Sequence, residues 1–194
     1  MAYLLTYYAN FMTIHSTAVI YPCVIIEEGA YIGPFCVIGC PPEHRGNDGA
    51  GAGVLIKAGA RLEKFVCVDS GYKSQTVIGK DAMLMNGVHV GHDCEIGEGV
   101  TIAPRVNLAG HVKILKGAFL GMGVNVHQHK VIGHYCMIGM GSVITKDPVL
   151  WPGTKWYGIP AMKMGKNQRG LTAAAITEDQ LNLYEKEFKA LCRE

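Results

Sequence analysis

The chain has 194 residues, enough for one ordinary domain with a small appendage. Its formal net charge is only +2, with no basic block and no interleaved aromatics, so nucleic acid is excluded as an expected partner. Its 25 glycines follow no Gly-X-Y register, which excludes collagen, and its 7 cysteines form no CxxC pair, so they read as reduced thiols of a cytoplasmic protein.

The opening residues, MAYLLTYYANF, are apolar but carry no early positive charge and are too short to span a bilayer. They read as a capping strand, and neither a secretion signal nor a transmembrane segment is expected. From Ile14 the sequence counts in sixes: Ile14, Ile20, Ile26, Ile32 and Ile38. Residues 40–53, CPPEHRGNDGAGAG, keep the count but lose the aliphatics, which marks a Pro/Gly loop. Ile56, Leu62 and Val68 resume the pattern. The register then slips by four before Ile78, so residues 69–76, DSGYKSQT, read as an excursion. Loops thrown from a repeat often lie over its binding face.

From Ile78 to Ile144 every sixth residue is aliphatic, a period that fits neither a helix nor simple strand alternation. The fifth position of each hexad is small: Val88, Cys94, Val100, Val106, Val112, Ala118, Val124, Cys136 and Ser142. One large and one small residue per hexad therefore point inward, and Cys36, Cys94 and Cys136 become core residues rather than chemistry. Lys130 is the misfit, read as a bulge or a lysine snorkelling outward. Second-position glycines such as Gly33, Gly91, Gly97 and Gly133 are assigned to tight corners. Fixed hexads are a β-helix signature. Three of them make one triangular coil, and coils stack at about 4.8 Å.

The prism is expected to end near Pro148, giving a β-helix domain over 1–160 with loops at 40–53 and 69–76. A C-terminal extension follows over 161–194. Thr177 to Gln180 reads as a capping box, and Leu181, Tyr184, Phe188 and Leu191 follow at helical spacing. One amphipathic helix, about 178–192, should pack on the prism or on a neighbouring subunit.

Residues eighteen apart stack, which superposes the hexads VGHDCE, LAGHVK and VHQHKV. His92, His111, His127 and His129 then gather at one outward edge, with His89 beside them. His15 and His134 read as surface; His44 joins the site if its loop folds back. Imidazole is the natural general base near neutral pH, and Asp93 can orient His92. Gly110 can expose a backbone N–H to an oxyanion. No serine-nucleophile motif, P-loop or GxGxxG is present, which favours direct transfer from an activated acyl group.

NGVHVGHDCEIG, NLAGHVKI and GMGVNVHQ, with IHSTAVIYPCVIIEEGAYIGPFCVIG before them, resemble the core of the bacterial UDP-N-acetylglucosamine O-acyltransferase family. The resemblance runs over roughly residues 14–147. It implies a single-stranded left-handed parallel β-helix with a short α-helical tail, an exception to the usual right-handed crossover. It also implies the first acylation of lipid A synthesis, from acyl carrier protein to a sugar-nucleotide hydroxyl, in a cytoplasmic homotrimer with sites between adjacent prisms. By position it makes His92 the base, Asp93 its partner and Gly110 the oxyanion donor. His89, His111, His127 and Gln128 would line the acceptor and acyl pockets, and Asn167 would lie near the nucleotide. Met140 falls where the family sets acyl-chain length. No resident cofactor and no metal are implied.

The family's loop pair that touches the sugar nucleotide is matched only loosely by Glu43 and Arg45. An arginine pair expected after Gly170-Leu171 is missing, with Arg169 the nearest substitute. GIPAMK resembles a stretch of acetyltransferases that use coenzyme A. A coenzyme A-dependent relative acting on another sugar, at a hydroxyl or an amine, is therefore the principal alternative. A zinc enzyme of the gamma carbonic anhydrase type and a non-catalytic scaffold stand behind it.

Overall fold

The structure, a computed structural model, describes residues 14–43, 45–46 and 51–192. The expected capping strand over the first residues and His44 lie outside the described residues. Short parallel strands wind into a three-sided left-handed prism of about seven coils. Among the described residues its faces are sheets of seven, six and eight strands. On the first face the inward column is Ile20, Ile38, Val68, Val90, Leu108, Val126 and Ile144. From Ile32 onward the inward aliphatics are buried, and each contributes roughly 1.5–3 kcal/mol on leaving water. The small fifth position lets three such side chains meet without overpacking: Cys36, Cys94 and Cys136 are all buried there.

Both interruptions leave the prism intact. Ile26 pairs with Ile56, thirty positions on, so twelve residues beyond one coil are extruded through the 40–53 loop. Ile56 pairs with Ile78, twenty-two positions on, so the second excursion adds four. That excursion is narrower than its sequence limits, because Asp69 and Thr76 both remain in the ladders. Lys130 causes no bulge: Lys113 and Val131 stay in register, and the Lys130 ammonium reaches out to the Lys146 carbonyl at 2.9 Å.

The corners correct one sequence assignment. The left-handed residue of each turn is at position four, as in Gly87, Asp93, Arg105, His111 and His129, with φ between 59° and 68°. Most second-position glycines answer a different need. A Cβ on Gly91 would meet the Leu108 carbonyl oxygen at 2.9 Å, and one on Gly97 the Ile114 oxygen at 2.8 Å. They keep neighbouring coils at strand spacing.

At the far end Thr154–Gly158 joins the eight-strand face and turns back on Ala161–Lys166, so residue 160 lies in the bend of a hairpin rather than at a packing boundary. Helix α1, Gln168–Ala173, and helix α2, Glu178–Leu191, follow. Thr177 and Gln180 close the capping box at the start of α2. Phe188 is fully buried and packs on Trp151. The same helix covers His134, which is buried, stacks on Tyr184 at 4.3 Å, and is not the surface histidine that hexad counting implied. No helix among the described residues is long and apolar enough to cross a membrane.

Candidate active site

The site grows from one corner column. Position four on three successive coils is Asp93, His111 and His129, each in the left-handed conformation that costs a non-glycine residue about 1 kcal/mol or more. Position three of the same hexads is His92, Gly110 and Gln128. His92 and His111 meet edge to face at 5.0 Å between ring centroids, and His111 stacks on His129 at 4.4 Å.

His92 Nδ1 is 2.6 Å from Asp93 Oδ2. Asp93 is buried, and its second oxygen accepts from Lys73 N–H at 2.7 Å and Ser74 N–H at 2.6 Å. Tyr72 N–H and the Ser74 hydroxyl add two further donors. Burial alone would raise the carboxyl; the Ser74 amide, the His92 ring and the Lys73 and Tyr72 amides outweigh it and hold Asp93 well below the usual carboxylate range. An ionised Asp93 accepts only, so in the neutral tautomer of His92 Nδ1 carries the proton and Nε2 is the accepting nitrogen. The 69–76 excursion thus orients the histidine through Asp93, a role that spacing could not reveal.

His92, His111, His129, Gln128, Tyr72 and Lys73 line a cleft of about 390 Å³. Burial lowers the His111 pKa, partly offset by Asp93, which favours the neutral ring. The Gly110 N–H has no acceptor among the described residues. Around the corner, an apolar groove of about 380 Å³ runs along the first face. His89, Asn107, Asn125 and Val143 form its outward ladder, and His127 lies at its side. The structure therefore divides the histidine edge: His92, His111 and His129 share the cleft, while His89 and His127 share the groove.

The other candidates lie elsewhere on the chain. Asn167 is buried, caps α1 through its side chain and donates to the Tyr135 carbonyl at 2.9 Å. Arg169 is exposed beside it. Neither lines the cleft or the groove. Glu43 and Arg45 are exposed, with the Glu43 carboxylate near Asp69 and His89. Met140 is 67% exposed on the turn that leads into Val143–Ile144 of the groove.

Sequence counting missed a further cluster of Cys40, Cys67, Asp69 and His89. Cys67 and His89 are register partners, and Cys40 pairs with Asp69. The hydrogen bonds from Cys40 and His89 favour the Cys67 thiolate.

Repeat and winding together define the class: a left-handed parallel β-helix protein of the hexapeptide-repeat type. The family model described as bacterial transferase hexapeptide (six repeats) matches residues 75–110. More particularly, the chain is similar to the acyl-[acyl-carrier-protein]–UDP-N-acetylglucosamine O-acyltransferases. The one from Agrobacterium fabrum is 30% identical over 177 residues, which covers 90% of this chain and 65% of that protein. A solved UDP-N-acetylglucosamine acyltransferase from Bacteroides fragilis superposes with a TM-score of 0.81 at 27% identity, covering 91% of this chain and 69% of the other. One from Francisella novicida gives 0.72 at 25%, covering 91% and 78%. The chain spans 65% of the length of the first curated relatives it matches.

Proposed function

We propose that this chain is an acyltransferase that moves an acyl chain from acyl carrier protein to a hydroxyl of a UDP-N-acetylglucosamine-like sugar nucleotide, a lipid A-type step. The observation that carries the reading is the His92–Asp93 pair, anchored by the 72–74 amides and presenting Nε2 to a cleft. His92 Nε2 takes the proton of the acceptor hydroxyl as its oxygen attacks the thioester carbonyl. Negative charge develops on that carbonyl oxygen and is met by the Gly110 N–H. The C–S bond then breaks, and the proton held by His92 goes to the leaving thiolate. Asp93 stays ionised and stabilises the imidazolium between the two transfers.

The groove of His89, Asn107, Asn125 and His127 is the proposed channel for acyl chain and acceptor. It lies open along one face of a single prism. The reading includes a cytoplasmic homotrimer in which an adjacent prism covers that face and brings Asn167 and Arg169 toward the nucleotide.

The test offers acyl carrier protein and coenzyme A thioesters against a panel of sugar nucleotides, with products read by mass spectrometry. Ester formation on UDP-N-acetylglucosamine from the carrier-protein thioester is expected, with turnover reduced about 10²–10⁴-fold in His92→Ala. Products from coenzyme A alone, or an amide on an amino sugar, would establish the alternative acyltransferase instead.

A further inference from the structure

The second cluster is built from outward residues of the first face and the start of the 40–53 loop. Cys40 Sγ stands 3.8 Å from Cys67 Sγ and 3.2 Å from Asp69 Oδ1. His89 Nε2 stands 3.8 Å from Asp69 Oδ2. The donor atoms of Cys40, Cys67 and Asp69 lie within 4.8 Å of one another, as do those of Glu43, Asp69 and His89. Asp69 is only 2% exposed, yet the Cys40 thiol is its one hydrogen-bond donor among the described residues. Asp93, equally buried, collects backbone and hydroxyl donors as well as a ring nitrogen. A buried carboxylate with one thiol donor and the His89 imidazole 3.8 Å away is served far less well than Asp93, and a cation among these four side chains would complete its surroundings.

The spacing names the ion. Zinc holds sulfur at about 2.3 Å and nitrogen or oxygen at about 2.0–2.1 Å, which places tetrahedral ligand atoms about 3.3–3.8 Å apart. Cys40 Sγ, at 3.8 Å from Cys67 Sγ and 3.2 Å from Asp69 Oδ1, already meets that frame, while His89 Nε2 lies 3.8 Å from the other carboxylate oxygen, Oδ2, so its ring must turn inward to supply the fourth ligand. Two thiolates select a borderline-soft cation over magnesium or calcium.

We propose that Cys40, Cys67, Asp69 and His89 form a tetrahedral site for one zinc ion, with Glu43 at its exposed rim. Binding requires two thiolates, one carboxylate and a neutral imidazole around the dication, and every proton that the two thiols and the His89 ring carry beforehand passes to solvent. The ion joins the 40–53 loop to the first face and fixes the His89 ring at the mouth of the groove. The sequence carried no sign of it, because the twelve extruded residues separate Cys40 from Cys67 and no CxxC remains to mark a ligand pair.

The full chain, reduced and stripped of metal, is titrated with Zn²⁺ and separately with Co²⁺. One ion per chain is expected, with Co²⁺ giving a thiolate-to-metal charge-transfer band. This wild-type spectrum reports sulfur ligation whether or not any variant folds. Cys40→Ser and Cys67→Ser should each weaken Zn²⁺ binding by at least about 100-fold, beyond the about 10–100-fold that removal of an outer-shell partner costs. Cys192→Ser, at the exposed end of α2, should bind as the parent does. A cobalt complex without the charge-transfer band would overturn the site, since it would place the ion on nitrogen and carboxylate groups such as His92, Asp93 and His111. Sub-stoichiometric uptake, or unchanged affinity in Cys67→Ser, would overturn it equally. None of these readouts depends on acyl transfer.

Discussion

The imidazole of His92 lies directly over Gly110: a Cβ at Gly110 would stand 2.6 Å from both Cε1 and Nε2 of the ring. Gly110 has no positive φ, so its backbone tolerates alanine and only the ring objects. The missing side chain is therefore a seat for the proposed base, and it leaves the Gly110 N–H beside the same reacting atoms.

Gly110→Ala should displace His92 and lower kcat by about 100-fold, the order expected for a misplacement near 1 Å. Thermal unfolding should move little. The double variant His92→Ala/Gly110→Ala should be no slower than His92→Ala alone. Steady-state kinetics check both, and an unimpaired Gly110→Ala enzyme would rule out the seat.

Asp93→Asn should cut turnover by about 10²–10⁴-fold, because the amide no longer fixes the proton on Nδ1. It should also loosen residues 72–74, read as faster amide exchange, since their N–H groups lose a charged acceptor. The folded carboxyl of Asp93 sits below its unfolded value, so its stabilisation is present above about pH 4 and fades as pH falls below that. The acid limb of the stability curve should flatten in the variant.

His134 predicts a second pH effect of the same sign from the opposite cause. Burial under α2 lowers its pKa to about 4, and the Glu187 carboxylate at 3.5 Å, half exposed, does not offset this. The unfolded chain binds the proton first, so stability is full above about pH 6.5 and falls as pH drops toward 4, by up to about 3 kcal/mol. Denaturant melts across that window should lose this slope in His134→Gln.

Met140→Gly should shift the preferred acyl chain toward longer lengths, at about 0.8 kcal/mol for each further methylene that finds cover. Met140 is mostly exposed in the single chain, so stability should change by no more than about 0.5 kcal/mol. Competition among carrier-bound chains, followed by mass spectrometry of products, gives the preference directly.

The wall of the prism was legible because one rule repeats: Ile96, Ile102, Leu108 and Ile114 obey it without regard to tertiary detail. The pairing of His92 with Asp93 was legible because the two are adjacent. Eighteen-residue counting also gathered His92, His111 and His129 at one outward edge. What it could not resolve was direction at a corner, so His127 was grouped with His92 although it faces the groove. His134 misled for a related reason, since position three faces out from its own coil but says nothing of a helix arriving fifty residues later. The anchoring of Asp93 by Ser74 and the meeting of Cys40 with Cys67 both cross an interruption in the count, where sequence distance ceases to measure height along the prism.

The two extrusions add twelve and four residues, yet the strands on either side return to the same faces. Only the points of exit and re-entry are fixed by stacking; the intervening length is free. Such a molecule can exchange the fingers it lays over its substrate without rethreading its frame, and relatives that share these walls can part company in what they hold.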